Sequence, residues 1–278
     1  MDFKELHFRK SVLINVVLSM FAFRRVILKE QHTAFTLGKR KFWSGDRGGV
    51  RKPSFLRDTS SNLLGNGGGK SVLWAIVGAN AMVFLAWSYT ESASGSVMLR
   101  KRLINDFTVS SAGVLNYGKI HTLLTATFSH KDFMHVGFNM LAFYSFGNQL
   151  LYLLPVPQFL ALYLGGGLVS SLCQVYWPYI VPRSWPASRY ISPHDRSLGA
   201  SGAVNAIVMY NIMSFPKATV LLYGIVPLPA ALLGLAFIGI DAYSLYKGNS
   251  GMGNAAHLGG AAFGALAFLL TRGRFRRF

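Results

Sequence analysis

The chain has 278 residues and a formal net charge of +18, although only 14% of its residues are charged and 51% are hydrophobic. This composition argues against an ordinary soluble domain and is typical of a polytopic membrane protein, whose apolar blocks have basic flanks. The basic residues lie at the ends and in the loops, without interleaved aromatic side chains, and this distribution argues against a nucleic-acid-binding protein.

A basic segment occupies residues 1–69, with thirteen Lys or Arg residues against five Asp or Glu. Its apolar run, Ser11 to Phe23, has 13 residues, whereas a bilayer core of ~30 Å needs about 20. A basic leader poor in acidic residues favours a transit peptide, and a disordered cytosolic tail is the alternative. The sequence "LLGNGGGK" (Leu63–Lys70) predicts a flexible joint. We therefore divide the chain into a leader, 1–69, and a membrane domain, 70–278.

Six stretches after Lys70 are long and apolar enough to predict membrane-spanning helices. The segment Phe133–Pro182 contains no Lys, Arg, Asp or Glu, and Pro155 with Pro157 divides it into two spans. The fifth stretch contains two prolines, which predict a kink. The predicted spans are Ser71–Thr90, Phe133–Leu154, Val156–Trp177, Ser197–Phe215, Ala218–Ile240 and Asn254–Thr271. The expected fold class is an all-α polytopic membrane protein, a bundle of six transmembrane helices.

An even number of spans places both chain ends on one side of the membrane. The leader is basic, and the tail Arg272–Phe278 adds four arginines. Positive charge favours the cytoplasmic or matrix side, so both ends are expected there. Spans two, four and six then all begin at the opposite face.

Polar residues occur near the starts of those same three spans. Ser201 lies in span four and His257 in span six, while His130 precedes span two. His135 and Asn139, four residues apart, share one face of span two. Each has an ordinary explanation, since serine can bond its own helix and histidine or asparagine can join neighbouring helices. Polar groups inside a bilayer are nevertheless costly unless they pair or line a wet cavity, so together they indicate a common site.

Small residues surround the serine and follow the histidine at helical spacing. Such residues allow two helix backbones to approach closely. We therefore expect spans four and six to pack against each other. The glycines assigned to this packing are Gly199 and Gly202 in span four, and Gly260 and Gly264 in span six.

If those two faces meet, His257 can reach the hydroxyl of Ser201 and take its proton, which would activate the serine as a nucleophile. Backbone amides at the start of span four, including that of Ser201, would be free to stabilise an oxyanion. His135 and Asn139 could add side-chain donors. The only carboxylate in these spans is Asp241, at the end of span five, so no aspartate is expected as a third member of the site.

Three motifs, in this order, resemble the rhomboid intramembrane serine proteases. They are "FSHKDFMHVGFN" (Phe128–Asn139), "GASG" (Gly199–Gly202) and "AHLGGAAFG" (Ala256–Gly264), the last of which fits the family pattern His-x-x-Gly-x-x-x-Gly. The resemblance covers roughly Ser71–Thr271 and implies a six-helix rhomboid-like bundle. A Gly-x-Ser-Gly sequence alone also marks soluble hydrolases, but three motifs at the starts of spans two, four and six are specific.

The resemblance assigns a role to each polar residue. Ser201 would be the nucleophile and His257 the general base of a Ser–His dyad. His135 and Asn139, with the Ser201 amide, would form the oxyanion hole. His130 would be a structural histidine of the first loop, which joins the first and second spans.

Two positions depart from the family pattern. Asn205 stands where many relatives have an aromatic residue that stacks on the catalytic histidine, and "NYGKIHTLL" (Asn116–Leu124) stands where a Trp-Arg pair is usual. The runs "HTLLTATFSH" and "GNAAHLGG" are most similar to mitochondrial-type eukaryotic members.

These residues predict an intramembrane serine endopeptidase that cleaves single-span membrane proteins in the lipid bilayer, without cofactor, metal or nucleic acid. The alternative is a catalytically inactive relative that binds transmembrane clients. A transporter is less favoured because no paired half-site repeats are visible. No His-Glu-x-x-His pattern is present, and the single cysteine, Cys173, excludes a cysteine-based zinc cluster. The expected location is the mitochondrial inner membrane, with a plastid or secretory-pathway membrane as alternatives.

Overall fold

The computed structural model describes residues 66–189, 192–222, 226–248 and 253–271. The leader expected at 1–69 lies outside the described residues up to position 65. The glycine-rich stretch Leu63–Lys70, expected to be a flexible joint, is instead helical from Asn66. The first span thus begins five residues earlier than the sequence predicted.

Helices dominate the described residues. The α-helices are α1 (Asn66–Glu91), α2 (Val97–Asp106), α3 (Ser111–Leu115), α4 (Thr122–Thr125), α5 (Phe133–Leu150), α6 (Val156–Ile180), α7 (Ser201–Ser214), α8 (Ala230–Lys247) and α9 (Asn254–Thr271). Two 3-10 turns (Ala126–Phe128 and Pro186–Arg189) and two strands, β1 (Thr219–Leu222) and β2 (Val226–Pro229), complete the described elements.

The bundle consists of α1, α5, α6, α7, α8 and α9, as the sequence predicted. Among the described residues, four of these helices, α1, α6, α8 and α9, are long and apolar enough to cross a membrane by length and composition. The shortest, α7, has 14 residues and lies inside the bundle against α5, α6 and α9. The chain is an all-α polytopic membrane protein apart from one small hairpin.

Aromatic side chains fill the core between α5, α6, α7 and α9. Phe143 and Tyr163 are fully buried, and their rings meet edge to face with their centroids 5.1 Å apart. Such a pairing suits the ring quadrupoles and fixes how α5 lies on α6. In contrast, α1 and α8 expose large apolar side chains, among them Leu85 and Leu235, as expected for surfaces that face lipid.

The fifth span differs from the prediction. Instead of one kinked helix over Ala218–Ile240, β1 and β2 form an antiparallel hairpin, with Thr219 opposite Pro229, and α8 begins only at Ala230. The reason is proline chemistry: Pro227 and Pro229 lack an N–H and disfavour helical backbone at the residue before each of them. The helix therefore starts after the second proline and continues to Lys247.

The connection from α1 to α5, residues 92–132, is here called the first loop and contains α2, α3 and α4. Its conformation was not predicted from the sequence. Trp87 at the end of α1 donates from Nε1 to Ser129 Oγ (2.8 Å), and Ser111 donates to the Val175 carbonyl (2.6 Å). The first loop is thereby fixed to both α1 and α6 without a Trp-Arg pair at Asn116–Leu124.

The first loop also contacts the segment that leads into α7. Val109 and Ser197 exchange two backbone hydrogen bonds of 2.8 Å each. Arg196 donates from Nη1 to the Ile104 carbonyl at 2.8 Å. The starts of α5 and α7 therefore lie at the same face of the bundle, as the predicted topology requires.

Candidate active site

Ser201 is the first residue of α7, and the backbone just before it is held by the first loop. The Gly199 amide donates to the Ala126 carbonyl (2.9 Å), and the Ala200 amide donates to Nε2 of His130 (3.2 Å). The Ser201 amide opens the helix and has no acceptor within it. It is therefore available to a group that lies in front of the helix.

Gly199 requires the absence of a side chain for two reasons. Its φ of 132° is a conformation that other residues rarely adopt, and a Cβ atom there would lie 2.8 Å from Cε1 of His135. Because Gly199 precedes α7, it makes room for the His135 ring beside Ser201. Gly199 therefore makes room for a side chain, whereas the sequence predicted that it packs two helices together.

The hydroxyl of Ser201 and the Nε2 atom of His257 are 2.8 Å apart. His257 lies in the first turn of α9, where its backbone amide donates to the Gly253 carbonyl at 2.7 Å. Both residues are half-buried. The two side chains that the sequence placed on separate spans, 56 residues apart, are thus in direct hydrogen-bond contact.

Close contact between α7 and α9 makes this hydrogen bond possible. A methyl group on Gly260 would overlap the carbonyl oxygen of Gly202, and one on Gly264 would overlap that of Ala206. A methyl group on Gly202 would overlap the hydroxyl of Ser170 in α6. Three of the four glycines expected to pack helices therefore lie at backbone contacts.

A carboxylate contacts the other nitrogen of the His257 ring. Nδ1 of His257 lies 3.2 Å from Oδ1 of Asp241, and the two side chains are 30% and 19% exposed. The expectation that no aspartate would join the site is therefore wrong. Its cause was the boundary of the fifth span, which was predicted to end at Ile240. The helix actually runs on to Lys247, so Asp241 lies inside α8.

His135 and Asn139 lie on α5, whose first turn is capped by Asp132 accepting from the His135 amide at 2.8 Å. The His135 side chain, together with Ser201 and His257, lines a cavity of about 140 Å³. Asn139 is buried, does not line this cavity, and donates from Nδ2 to the His135 carbonyl at 2.8 Å. The structure therefore brings His135, but not the Asn139 amide, to the wall of the cavity.

His130 lies in the first loop and is fully buried. Burial, and secondly the nearby His135, lower the pKa of His130 to about 3. The ring is consequently neutral near pH 7, and its unprotonated Nε2 can accept the hydrogen bond from Ala200. The ring also meets that of His135 edge to face at 4.8 Å. His130 thus links the start of α5 to the start of α7.

Asn205 lies one turn further along α7 than Ser201. It lines a cleft of about 20 Å³ between α7, α8 and α9, and Asp241 lines the same cleft. Among the described residues, no group of three or more His, Cys, Asp or Glu side chains is placed to hold a metal ion.

The fold and the site together define a polytopic helical membrane protein whose serine and histidine meet near one face of the bundle. A family model described as "Rhomboid domain" matches residues 117–274, more than half of the chain. The chain belongs to the rhomboid family, and the resemblance inferred from the three motifs is confirmed.

Curated relatives agree with this assignment. The chain is 38% identical over 213 residues to "RHOMBOID-like protein 12, mitochondrial" of Arabidopsis thaliana, a match that covers 74% of the chain and 60% of that protein. It is 29% identical over 201 residues to "Rhomboid protein 1, mitochondrial" of Saccharomyces cerevisiae, covering 71% and 52%. It is 28% identical over 198 residues to "Presenilin-associated rhomboid-like protein, mitochondrial" of Mus musculus, covering 70% and 47%.

The chain thus spans about half to three fifths of the length of these relatives. Their mitochondrial names, together with the apolar helices, support the prediction of a multi-pass mitochondrial membrane protein.

Proposed function

We propose that this protein is an intramembrane serine endopeptidase that cleaves transmembrane segments of single-span membrane proteins. The observation that carries the proposal is the 2.8 Å contact between Ser201 Oγ and His257 Nε2 at the wall of a cavity. A serine hydroxyl is a weak nucleophile until a neighbouring base removes its proton, and this geometry supports His257 as that base.

The proposed reaction has two halves. Ser201 Oγ attacks the scissile carbonyl while its proton passes to Nε2 of His257, and the resulting oxyanion accepts hydrogen bonds. His257 then returns the proton to the leaving amine, which leaves an acyl-enzyme on Ser201. A water molecule deprotonated by His257 attacks the acyl carbonyl, and the proton passes to Ser201 Oγ as the acid product departs.

The oxyanion donors proposed here are the Ser201 amide, the His135 side chain and Asn139. The first two adjoin the cavity. The Asn139 amide carries two N–H groups, of which one is used by the His135 carbonyl. We propose that the second N–H reaches the oxyanion from one turn deeper in α5.

The membrane domain is proposed to begin near residue 70 and to lie in the mitochondrial inner membrane. The basic leader, 1–69, is proposed to act as a transit peptide. Substrates would be single-span helices cut near small, helix-destabilising residues, as the family resemblance implies. The alternative function, a non-catalytic binder of transmembrane clients, makes no use of a serine activated by a histidine.

A fluorophosphonate labelling experiment separates the two functions. The full chain in detergent micelles is treated with a fluorescent fluorophosphonate and compared with Ser201→Ala and His257→Ala. We expect the wild-type protein to be labelled and neither of these two variants to be labelled. Ser171, which lines the same cavity without a histidine partner, provides a matched control, since Ser171→Ala should still be labelled. Labelling of Ser201→Ala at the wild-type level would refute the proposed nucleophile.

A further inference from the structure

We propose that Asp241 is a third functional member of the site, a positioning residue that accepts a hydrogen bond from His257 and stabilises its protonated form. This inference rests on the proposed function and extends it from a dyad to a triad. Its structural basis is the contact between Asp241 Oδ1 and His257 Nδ1, at 3.2 Å, on the opposite side of the ring from Ser201.

The two contacts of the His257 ring specify one arrangement of its proton. An ionised carboxylate only accepts hydrogen bonds, so Asp241 requires a proton on Nδ1. Neutral imidazole carries one N–H, and Nε2 is then the acceptor that faces the Ser201 hydroxyl. Asp241 therefore selects the tautomer that can remove the serine proton.

The carboxylate acts again when that proton moves. Transfer from Ser201 Oγ to His257 Nε2 turns the ring into a cation, while the serine oxygen becomes bonded to the substrate carbonyl. Asp241 keeps its negative charge next to this cation and stabilises it, without itself becoming protonated. An amide at position 241 could still accept from Nδ1, but it could not supply the charge.

The cost of the carboxylate supports a function for it. Within helices α5 to α9, Asp241 is the only Asp or Glu, and its helix otherwise turns apolar side chains such as Leu235 and Ile240 outward. An ionisable group inside a membrane helix is expensive and generally marks function. Here its side chain is only 19% exposed, and the histidine is its hydrogen-bond partner.

A small side chain stands beside Asp241 at position 205. Asn205 and Asp241 both line a space of about 20 Å³ between α7, α8 and α9. An aromatic ring at position 205 is larger than the Asn205 side chain and would take up part of this space. The short Asn205 side chain is thus compatible with the approach of α8 to His257.

The test compares variants of the full chain in liposomes, with cleavage of a single-span reporter substrate as the readout. Asp241→Asn and Asp241→Ala should each lower kcat by at least ~10²-fold and leave KM and the unfolding midpoint nearly unchanged. Asp241→Glu, which restores the charge, should be more active than Asp241→Asn. The matched control is Asp106→Asn, because Asp106 makes a similar contact to a histidine, 3.1 Å to His121, in the exposed first loop. It should cleave at the wild-type rate.

A merely structural role for Asp241 gives a different pattern. If the side chain only fastens α8 to α9, the isosteric Asp241→Asn protein keeps its activity and only Asp241→Ala loses it, and that result overturns the proposal. Should Asp241→Asn fail to fold, the Glu variant decides, since a folded but inactive Asp241→Glu protein contradicts a role for the charge. If wild type itself neither cleaves nor labels at Ser201, the proposed function fails and the triad fails with it. An active wild type beside an equally active Asp241→Asn removes the triad alone.

Discussion

Gly260 of α9 and Gly202 of α7 lie in backbone contact, so close that a single methyl group on Gly260 would overlap the Gly202 carbonyl oxygen. The first helical turns that carry Ser201 and His257 adjoin this contact. Their 2.8 Å hydrogen bond therefore depends on a separation between the two helices that only glycine permits.

We predict that Gly260→Ala lowers both stability and turnover. Overpacking a close contact typically costs ~1–3 kcal/mol, and the added methyl must also push α9 away from Ser201. Thermal unfolding in detergent and reporter cleavage measure the two effects. Gly78 of α1 provides the control, since a Cβ atom there would meet nothing within 4 Å. Gly78→Ala should be neutral or slightly stabilising, and an equally mild effect at Gly260 would contradict the prediction.

The dyad predicts non-additive kinetics. Ser201→Ala and His257→Ala should each abolish cleavage of the reporter, and the double variant should be no worse than either single one, because the two side chains act as one unit. The measurement is the initial rate at saturating substrate, with unfolding midpoints as a check on folding. Losses that multiply in the double variant would show that the two residues act separately.

The oxyanion donors can be separated from helix packing with two asparagines. Asn139 and Asn80 both donate from Nδ2 to the carbonyl four residues earlier in their helices, at 2.8 and 2.9 Å. If Asn139 supplies its second N–H to the oxyanion, Asn139→Ala slows kcat by ~10²-fold and Asn80→Ala does not. His135→Ala should lower kcat as well. Equal kcat values for the two asparagine variants would return Asn139 to a packing role.

The sequence predicted best those features that depend on local pattern. Apolar length identified both ends of α9 and the start of α6, because a backbone that crosses the apolar core of a membrane satisfies its hydrogen bonds within a helix. Small residues next to Ser201 and His257 indicated that their helices meet. That inference needed no knowledge of the loops, since both residues lie in the first turn of a helix.

The β-hairpin and the conformation of the first loop were not predicted from the sequence, because they depend on competition between local and long-range interactions. Pro227 and Pro229 were expected to kink a long helix, but two prolines with one residue between them favour an extended backbone that can pair with β1. As a result, the fifth span was predicted to end at Ile240 rather than at Lys247. Asp241 was therefore predicted at the end of the helix rather than within it. The conformation of the first loop was equally hidden, since it depends on partners such as Val109 and Ser197, 88 residues apart.

The buried histidine of the first loop predicts sensitivity to acid. The pKa of His130 is lowered to about 3 in the folded protein, whereas an unfolded chain titrates near ~6.5. Between these values the unfolded chain binds more protons than the folded one. The contribution of His130 to the free energy of unfolding is therefore greatest above about pH 6.5. It decreases as the pH falls towards 3, by up to ~1.4 kcal/mol per pH unit.

A variant isolates this contribution. His130→Gln keeps a carbonyl oxygen that can accept from the Ala200 amide but cannot titrate. We expect a lower unfolding midpoint than wild type near pH 7, together with a shallower decline between about pH 6.5 and about pH 4.5. Midpoints recorded in detergent across this range test the prediction. An acid decline as steep as that of wild type would exclude His130 as its source.

The last prediction concerns the orientation of the chain in the membrane. Thirteen basic residues in the leader and four arginines in the tail favour the matrix for both ends. The first loop and the segment before α7 are joined by the two Val109–Ser197 hydrogen bonds, so both are expected together on the opposite side. Ser201 and His257 then open towards the intermembrane space, and substrates would be cut near that side. A tag after Phe278 should resist protease in intact mitoplasts, while a tag inserted at Ser94, in the exposed turn after α1, should be digested. Digestion of the C-terminal tag with survival of the Ser94 tag would show the opposite orientation. If neither fusion protein is imported into mitochondria, the proposed location is wrong.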